Sequence, residues 1–116
     1  IGGYVHDRTG VTLGPYAVAM LRDLNVRTAI LSVAGLTEKG YYNSNLLLVE
    51  TERAMMEAAD QVVIVADSTK LGRSSLAKLV DLLAIDSLII DDEITEDWRS
   101  RLLAAGVPLV VALDTC

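Results

Sequence analysis

Four short apolar runs rich in β-branched residues limit most strongly what this chain can fold into. They are TAILSV (28–33), QVVIVA (61–66), SLII (87–90) and PLVVAL (108–113). None of them alternates between apolar and polar residues, and continuous apolarity is typical of strands that are buried on both faces of a parallel sheet. The runs therefore predict the strands of such a sheet.

Segments with helical periodicity lie between these runs. The first follows Gly14 and Pro15, which favour the start of a helix, and the second covers 46–59. The third has Thr95 as its N-cap and ends at Gly106. This alternation predicts an α/β fold, with a mostly parallel sheet, right-handed crossovers and helices on both faces.

The second helix is predicted to have an apolar face and a charged flank. The apolar face comprises Leu47, Leu48, Ala54, Met55, Ala58 and Ala59. The flank carries Glu50, Arg53 and Glu57, which are neighbours on a helix surface. Two interpretations stay open: a surface ion pair worth roughly a few tenths of a kcal/mol, or a functional group if Glu50 points over the edge of the sheet.

Composition and charge exclude several classes of protein. A chain of 116 residues with 52% hydrophobic content suits one domain with its own core. A net charge of −6 without a basic cluster argues against direct binding of nucleic acid. Cys116 is the only cysteine and His6 the only histidine, so we expect a cytoplasmic protein without a disulfide, metal or cofactor. No apolar run approaches the ~20 residues that span a membrane.

Polar residues follow each apolar run, at the edge of a parallel sheet where ligands bind. They are AGLTEKG, DSTKLG, DDEIT and, after the last run, Asp114 and Thr115. In one interpretation this edge holds a small anionic ligand, with Lys70 supplying charge and glycines admitting its approach. In the other, Asp67 only caps a turn and Lys70 is solvated. Residue types and spacing leave the turn and the pocket about equal.

Known catalytic and nucleotide-binding motifs are absent from the sequence, which has no P-loop, no dinucleotide fingerprint and no nucleophile elbow. Two stretches, 34–45 and 72–86, show no clear period. Tyr41 and Tyr42 in the first stretch are interpreted as a lid, an oligomer contact or part of an exposed loop. Trp98 is predicted to anchor the last helix in the core.

The ordered segments IGG…TLGP, SVAGLTEKG, ETERAMMEAADQVVIVADSTKLG and IDSLIIDDEI resemble the C-terminal effector domain of DeoR-type transcriptional regulators. The resemblance covers nearly the whole chain and is most specific over 50–72. It implies the fold of ribose-5-phosphate isomerase and the CoA transferases. It also implies a sensor, not an enzyme, that binds a sugar phosphate or related metabolite and controls operator DNA.

The resemblance further implies which parts of such a regulator this sequence contains. The family holds operator DNA with an N-terminal winged helix-turn-helix and grips the ligand phosphate with a loop upstream of the paired glycines, and neither is in this sequence. The opening IGGYV resembles the tail of a strand. We therefore expect 1–116 to be the C-terminal part of an effector-binding domain that forms homo-oligomers, reaches DNA only through the N-terminal domain and does not contact a membrane.

Carried over residue by residue, the resemblance assigns ligand-binding positions and no catalytic or metal-binding residue. These positions are Lys70, Asp67, Gly3, Gly35, Gly40, Glu50 and Arg53. Lys70 is implied to face the ligand, and Asp67 to shape the turn. The sequence departs from the family at Leu48, where an acid is common, and at Asp91 and Asp92, where the register is open by one residue.

Two alternatives to the sensor remain. One is an aldose–ketose phosphate isomerase, in which Glu50 or Asp67 abstracts a proton and Lys70 stabilises the enediolate. The other is a purely structural assembly domain that uses exposed apolar surface. Because the fold hosts both isomerases and sensors, it does not choose between them, and the resemblance favours the sensor.

Overall fold

The chain alternates short strands with helices, as a computed structural model shows for residues 3–5 and 12–113. His6, Asp114, Thr115 and Cys116 lie outside the described residues. In chain order the elements are β1 (Tyr4–Val5), β2 (Thr12–Leu13), α1 (Pro15–Arg22), β3 (Val26–Ser32), β4 (Gly35–Thr37), β5 (Gly40–Asn43), α2 (Leu46–Ala58), β6 (Ala59–Ala66), β7 (Ala77–Val80), β8 (Ser87–Asp91), α3 (Glu96–Ala104) and β9 (Leu109–Ala112). Among the described residues, no helix is both long and apolar enough to cross a membrane.

The four apolar runs form one parallel sheet with the strand order β3-β6-β8-β9. Leu31 lies opposite Ile64, Ile64 opposite Leu88, and Leu88 opposite Leu109. The predicted α/β fold with a parallel sheet is therefore confirmed.

The described helices cover one face of this sheet. Leu31, Ile64 and Leu88 point into the core on that face, against α2 and against Leu102 of α3. On the other face Val65 is 40% exposed and Val110 is 50% exposed. We expected helices on both faces of the sheet. Within residues 3–5 and 12–113, helices cover only one face. Sequence alternation failed to reveal this, because the outward positions are apolar as well.

A second sheet occupies the two stretches in which no period was found. Strands β4, β5 and β7 form an antiparallel sheet in that order. Tyr41 on β5 is fully buried, and its hydroxyl donates to the carbonyl oxygen of Leu82 at 3.0 Å. Burial raises the pKa of this hydroxyl above its usual value. Tyr41 is therefore a core residue, and its interpretation as a lid, an oligomer contact or an exposed loop residue was wrong.

The buried face of helix α2 is rotated about the helix axis relative to the predicted apolar face. Its buried residues are Val49, Thr51, Glu52 and Ala54, whereas Leu47 is 37% exposed. The rotation follows from two contacts, because α2 packs against the parallel sheet on one side and against α1 on another. In α3, Leu102 is fully buried and Trp98 only half-buried at the margin of the core, so Leu102 is the stronger anchor.

Candidate functional site

The turn that follows β6 is organised by Asp67. Its Oδ1 accepts a hydrogen bond from the backbone amide of Thr69 at 2.9 Å and another from the Thr69 hydroxyl. Residues Ser68–Lys70 then form one turn of 3-10 helix, with Asp67 as its N-cap. The hydrogen bonds from Thr69 hold the pKa of Asp67 below its usual value. The prediction that Asp67 shapes this turn is confirmed.

Asp91 holds the same turn from the neighbouring strand. At the end of β8, its Oδ2 accepts from the backbone amide of Ser68 at 2.9 Å, and its Oδ1 accepts from the amide of Glu93 at 3.0 Å. The bond from Ser68 is the main reason that the pKa of Asp91 lies below its usual value. Of the acidic pair whose register was open, Asp91 is the residue that bonds to the turn. Finding it from sequence required knowing that β6 and β8 are adjacent.

Lys70 ends the turn in a half-buried position. In the part of the chain that the structure describes, its ammonium makes no hydrogen bond or ion pair, although its charge contributes to the low pKa of Asp67. A groove of about 440 Å³ runs along this edge between Asp67, Asp91 and Ala112. Lys70 is not itself one of the described residues that line this groove. Because backbone amides already bind both carboxylates, its ammonium is the group beside the turn best suited to an anionic ligand.

The glycines assigned to the ligand site allow close backbone approaches. A Cβ at Gly35 would lie 2.2 Å from the carbonyl oxygen of Arg73, and one at Gly40, where φ is +148°, would lie 2.3 Å from that of Val80. At Gly3 it would lie 2.7 Å from the carbonyl oxygen of Leu13. These contacts require glycine on packing grounds alone. A direct role of the three glycines in ligand binding stays a prediction.

Glu50 and Arg53 lie in a different groove, of about 410 Å³, between α1 and α2. The Arg53 side chain donates to two carbonyl oxygens of β7, from Nε to Leu79 at 2.9 Å and from Nη2 to Lys78 at 2.7 Å. No ion pair joins Arg53 to Glu50 or Glu57 within the described residues, so the surface ion pair is not formed. The contacts of Arg53 fasten α2 to the second sheet and do not bring it to the turn after β6.

Glu52 is a buried acid, away from the turn after β6, that no sequence pattern singled out. It is only 6% exposed, and its Oε1 accepts from Nδ2 of Asn43 at 2.6 Å. The Oδ1 atom of Asn43 in turn accepts from the backbone amide of Ala34 at 2.8 Å. Burial raises the pKa of Glu52 to about 7, against the opposing effect of the Asn43 hydrogen bond. An apolar stripe drawn from Val49 instead of Leu47 would have revealed an acid on the buried face.

Within 3–5 and 12–113, no group of three or more His, Cys, Asp or Glu side chains is placed to hold a metal ion. The two aspartates at the edge of the sheet instead use their oxygens for backbone amides.

Comparison with known proteins identifies the family. Residues 1–92 match the family model described as the DeoR C terminal sensor domain. The HTH-type transcriptional regulator GlpR of Haloferax volcanii is 34% identical over 110 residues, which cover 94% of this chain and 43% of the relative.

Of two further relatives, one is an activator of transcription and the other a repressor. The L-fucose operon activator of Haemophilus influenzae is 28% identical over 84% of this chain and 40% of its own length. The HTH-type transcriptional repressor GlcR of Bacillus subtilis is 29% identical over 96% of this chain and 43% of its own length. The chain thus spans less than half the length of these curated relatives, which are transcriptional regulators and not enzymes. The chain belongs to the family of DeoR C-terminal sensor domains.

Proposed function

We propose that this domain senses a sugar phosphate, or a related phosphorylated metabolite, on behalf of a DeoR-type transcriptional regulator. The observation that carries the proposal is the match to the sensor-domain family together with Lys70, which lies in a fixed turn at the end of the central strand β6. The relatives include an activator and a repressor, so the direction of control is left open. Operator DNA would be bound by another part of the regulator.

Lys70 is the proposed contact for the phosphoryl group. Its ammonium supplies a point charge, and Asp67 and Asp91 fix the turn that carries it. Gly35 lets the backbone at Arg73, just after the turn, lie close to β4. Next to this contact, the amide of Gly72 donates to the carbonyl oxygen of Leu36 at 2.8 Å. A turn that is already fixed loses less conformational entropy when a ligand binds than a flexible turn does.

The arrangement of the acids favours a sensor over an isomerase. A general base needs a pKa close to the working pH, whereas hydrogen bonds lower the pKa of Asp67 and of Asp91. Glu50, the other acid considered, lines a separate groove between α1 and α2. This placement gives no support to proton abstraction beside Lys70.

Oligomerisation is the second part of the proposed function. Across β6, β8 and β9, Val65 lies beside Ile89 and Ile89 beside Val110, which gives an apolar row on the uncovered face of the sheet. Such a row supports packing against another element of the regulator or a second copy of the domain. A homo-oligomer would couple ligand occupancy in one copy to the others.

A thermal-shift experiment tests the ligand class. The wild type, Lys70→Ala and the control Lys39→Ala, which removes the charge of an exposed lysine before Gly40, would be screened against sugar phosphates and the same sugars without phosphate. A ligand at about 100 times its Kd stabilises the folded state by about 2.7 kcal/mol. We expect a phosphorylated sugar to raise the melting temperature of the wild type and of Lys39→Ala, and that of Lys70→Ala much less. An unchanged wild type, or equal loss in both variants, would contradict the proposal.

A further inference from the structure

A further cavity lies between α1, α2 and β3, apart from the groove beside Asp67 and from the groove that Glu50 lines. Its volume is about 310 Å³, at the lower end of the range for small-molecule sites. Its lining includes Leu21, Ile30, Leu31, Ser32, Glu52 and Met55. None of them lines the groove at the edge of the sheet. The cavity is therefore separate from the proposed phosphate site.

The lining of this cavity is apolar apart from hydroxyl groups and one acid. Among the described residues, Glu52 is the only charged one in the lining, and no Lys or Arg accompanies it there. A phosphoryl group would thus meet a carboxylate and, within 3–5 and 12–113, no positively charged side chain, which is unfavourable. An aliphatic group would instead contact the side chains of Leu21, Leu31 and Met55.

The carboxyl group of Glu52 has one oxygen in use and one available. Its Oε1 is bound by Asn43, whereas Oε2 accepts no hydrogen bond from any residue between 12 and 113 or from 3–5. A buried polar atom without a partner is costly, so a donor inside the cavity would remove that cost. Ile30 and Ser32 are the exposed members of the lining and mark the side from which a ligand can enter.

We propose that this cavity is a second ligand site, which binds a small aliphatic amine with its ammonium group on Oε2 of Glu52. The ammonium supplies donors and a positive charge that no described lining residue supplies, and the aliphatic chain occupies the apolar part. Charge-assisted hydrogen bonds of this kind are about twice as strong as neutral ones. The site is independent of Lys70 and of any phosphorylated effector.

Three probes of matched length test the site: n-butylammonium chloride, 1-butanol and sodium butyrate, each followed by ligand-observed saturation-transfer NMR. They would be titrated into the wild type, Glu52→Gln and the control Glu50→Gln, whose exposed acid lines another groove. Glu52→Gln keeps the side-chain shape and the acceptor for Asn43, and circular dichroism would confirm that it is folded.

We expect butylammonium to bind the wild type and Glu50→Gln, and to bind Glu52→Gln about tenfold more weakly, as loss of roughly 1.4 kcal/mol of ion pairing implies. Butyrate should bind none of them. Equal binding of butanol and butylammonium would overturn the proposal, since the cavity would then be only an apolar one. Unchanged binding of butylammonium to Glu52→Gln, or no binding to the wild type, would overturn it as well.

Discussion

The buried acid Glu52 gives the domain a pH-dependent stability that one substitution should remove. Burial raises its pKa from 4.5 to about 7. The folded state therefore holds this proton more tightly than the unfolded chain does, and the free energy of unfolding falls as the pH rises from 4.5 to about 7. At about 1.4 kcal/mol for each pH unit, the fall amounts to roughly 3 kcal/mol.

Glu52→Gln tests this value without changing the packing. The glutamine keeps an oxygen that accepts from Asn43, but it does not ionise. We expect the stability of the variant relative to the wild type to increase by about 3 kcal/mol between pH 4.5 and pH 8, whatever its absolute value at low pH. The comparison cancels the titration of the ionisable groups that both proteins share.

Urea unfolding at several pH values between 4.5 and 8, followed by circular dichroism, gives the two stability curves. Glu50→Gln serves as the matched control, because Glu50 is exposed two positions away on the same helix. Its curve should run parallel to that of the wild type. If the curve of Glu52→Gln also runs parallel to it, Glu52 does not hold a raised pKa and the reasoning from burial is refuted.

Three further substitutions test the turn, the sheet contact and the exposed face. Asp91→Ala should lower the stability by about 1–2 kcal/mol in urea unfolding, since it leaves the amide of Ser68 without its acceptor; an unchanged midpoint would contradict this. Gly35→Ala should destabilise by about 1–3 kcal/mol, because the new methyl group meets the Arg73 carbonyl, and a wild-type melting temperature would rule out that clash. Val110→Glu, at a half-exposed position, should reduce self-association in light scattering with little change in secondary structure; an unchanged mass for an associating wild type would exclude this face as the contact.

The elements with strong local signals could be predicted from the sequence. The parallel strands are continuous apolar runs, and Thr95, directly before α3, accepts from the amide of Trp98 as an N-cap should. Strands β4, β5 and β7 are three or four residues long, and β7 pairs with a strand more than 30 positions away, at Tyr42 and Lys78. Short strands with distant partners leave little local pattern to detect.

The candidate site was predictable only in part for the same reason. Asp67 and Lys70 follow a strong strand and stand in one turn, so their proximity is local. The contact of Asp91 with Ser68 depends on the order of strands in the sheet, and the burial of Glu52 depends on how α1 packs against α2. Neither relation is contained in the spacing of residues along the chain.

The second sheet is fastened to the rest of the domain at separate places. Asn43 on β5 donates to the carbonyl oxygen of Ser32 on β3, Leu36 on β4 accepts from the amide of Gly72, and Arg53 on α2 donates to β7. A hinge between the sheets would have to break several of these bonds together. An effector is therefore expected to act on this domain as on a single rigid body. Its binding energy would go into ordering the ligand edge or repositioning whole copies against one another, and not into opening the interior.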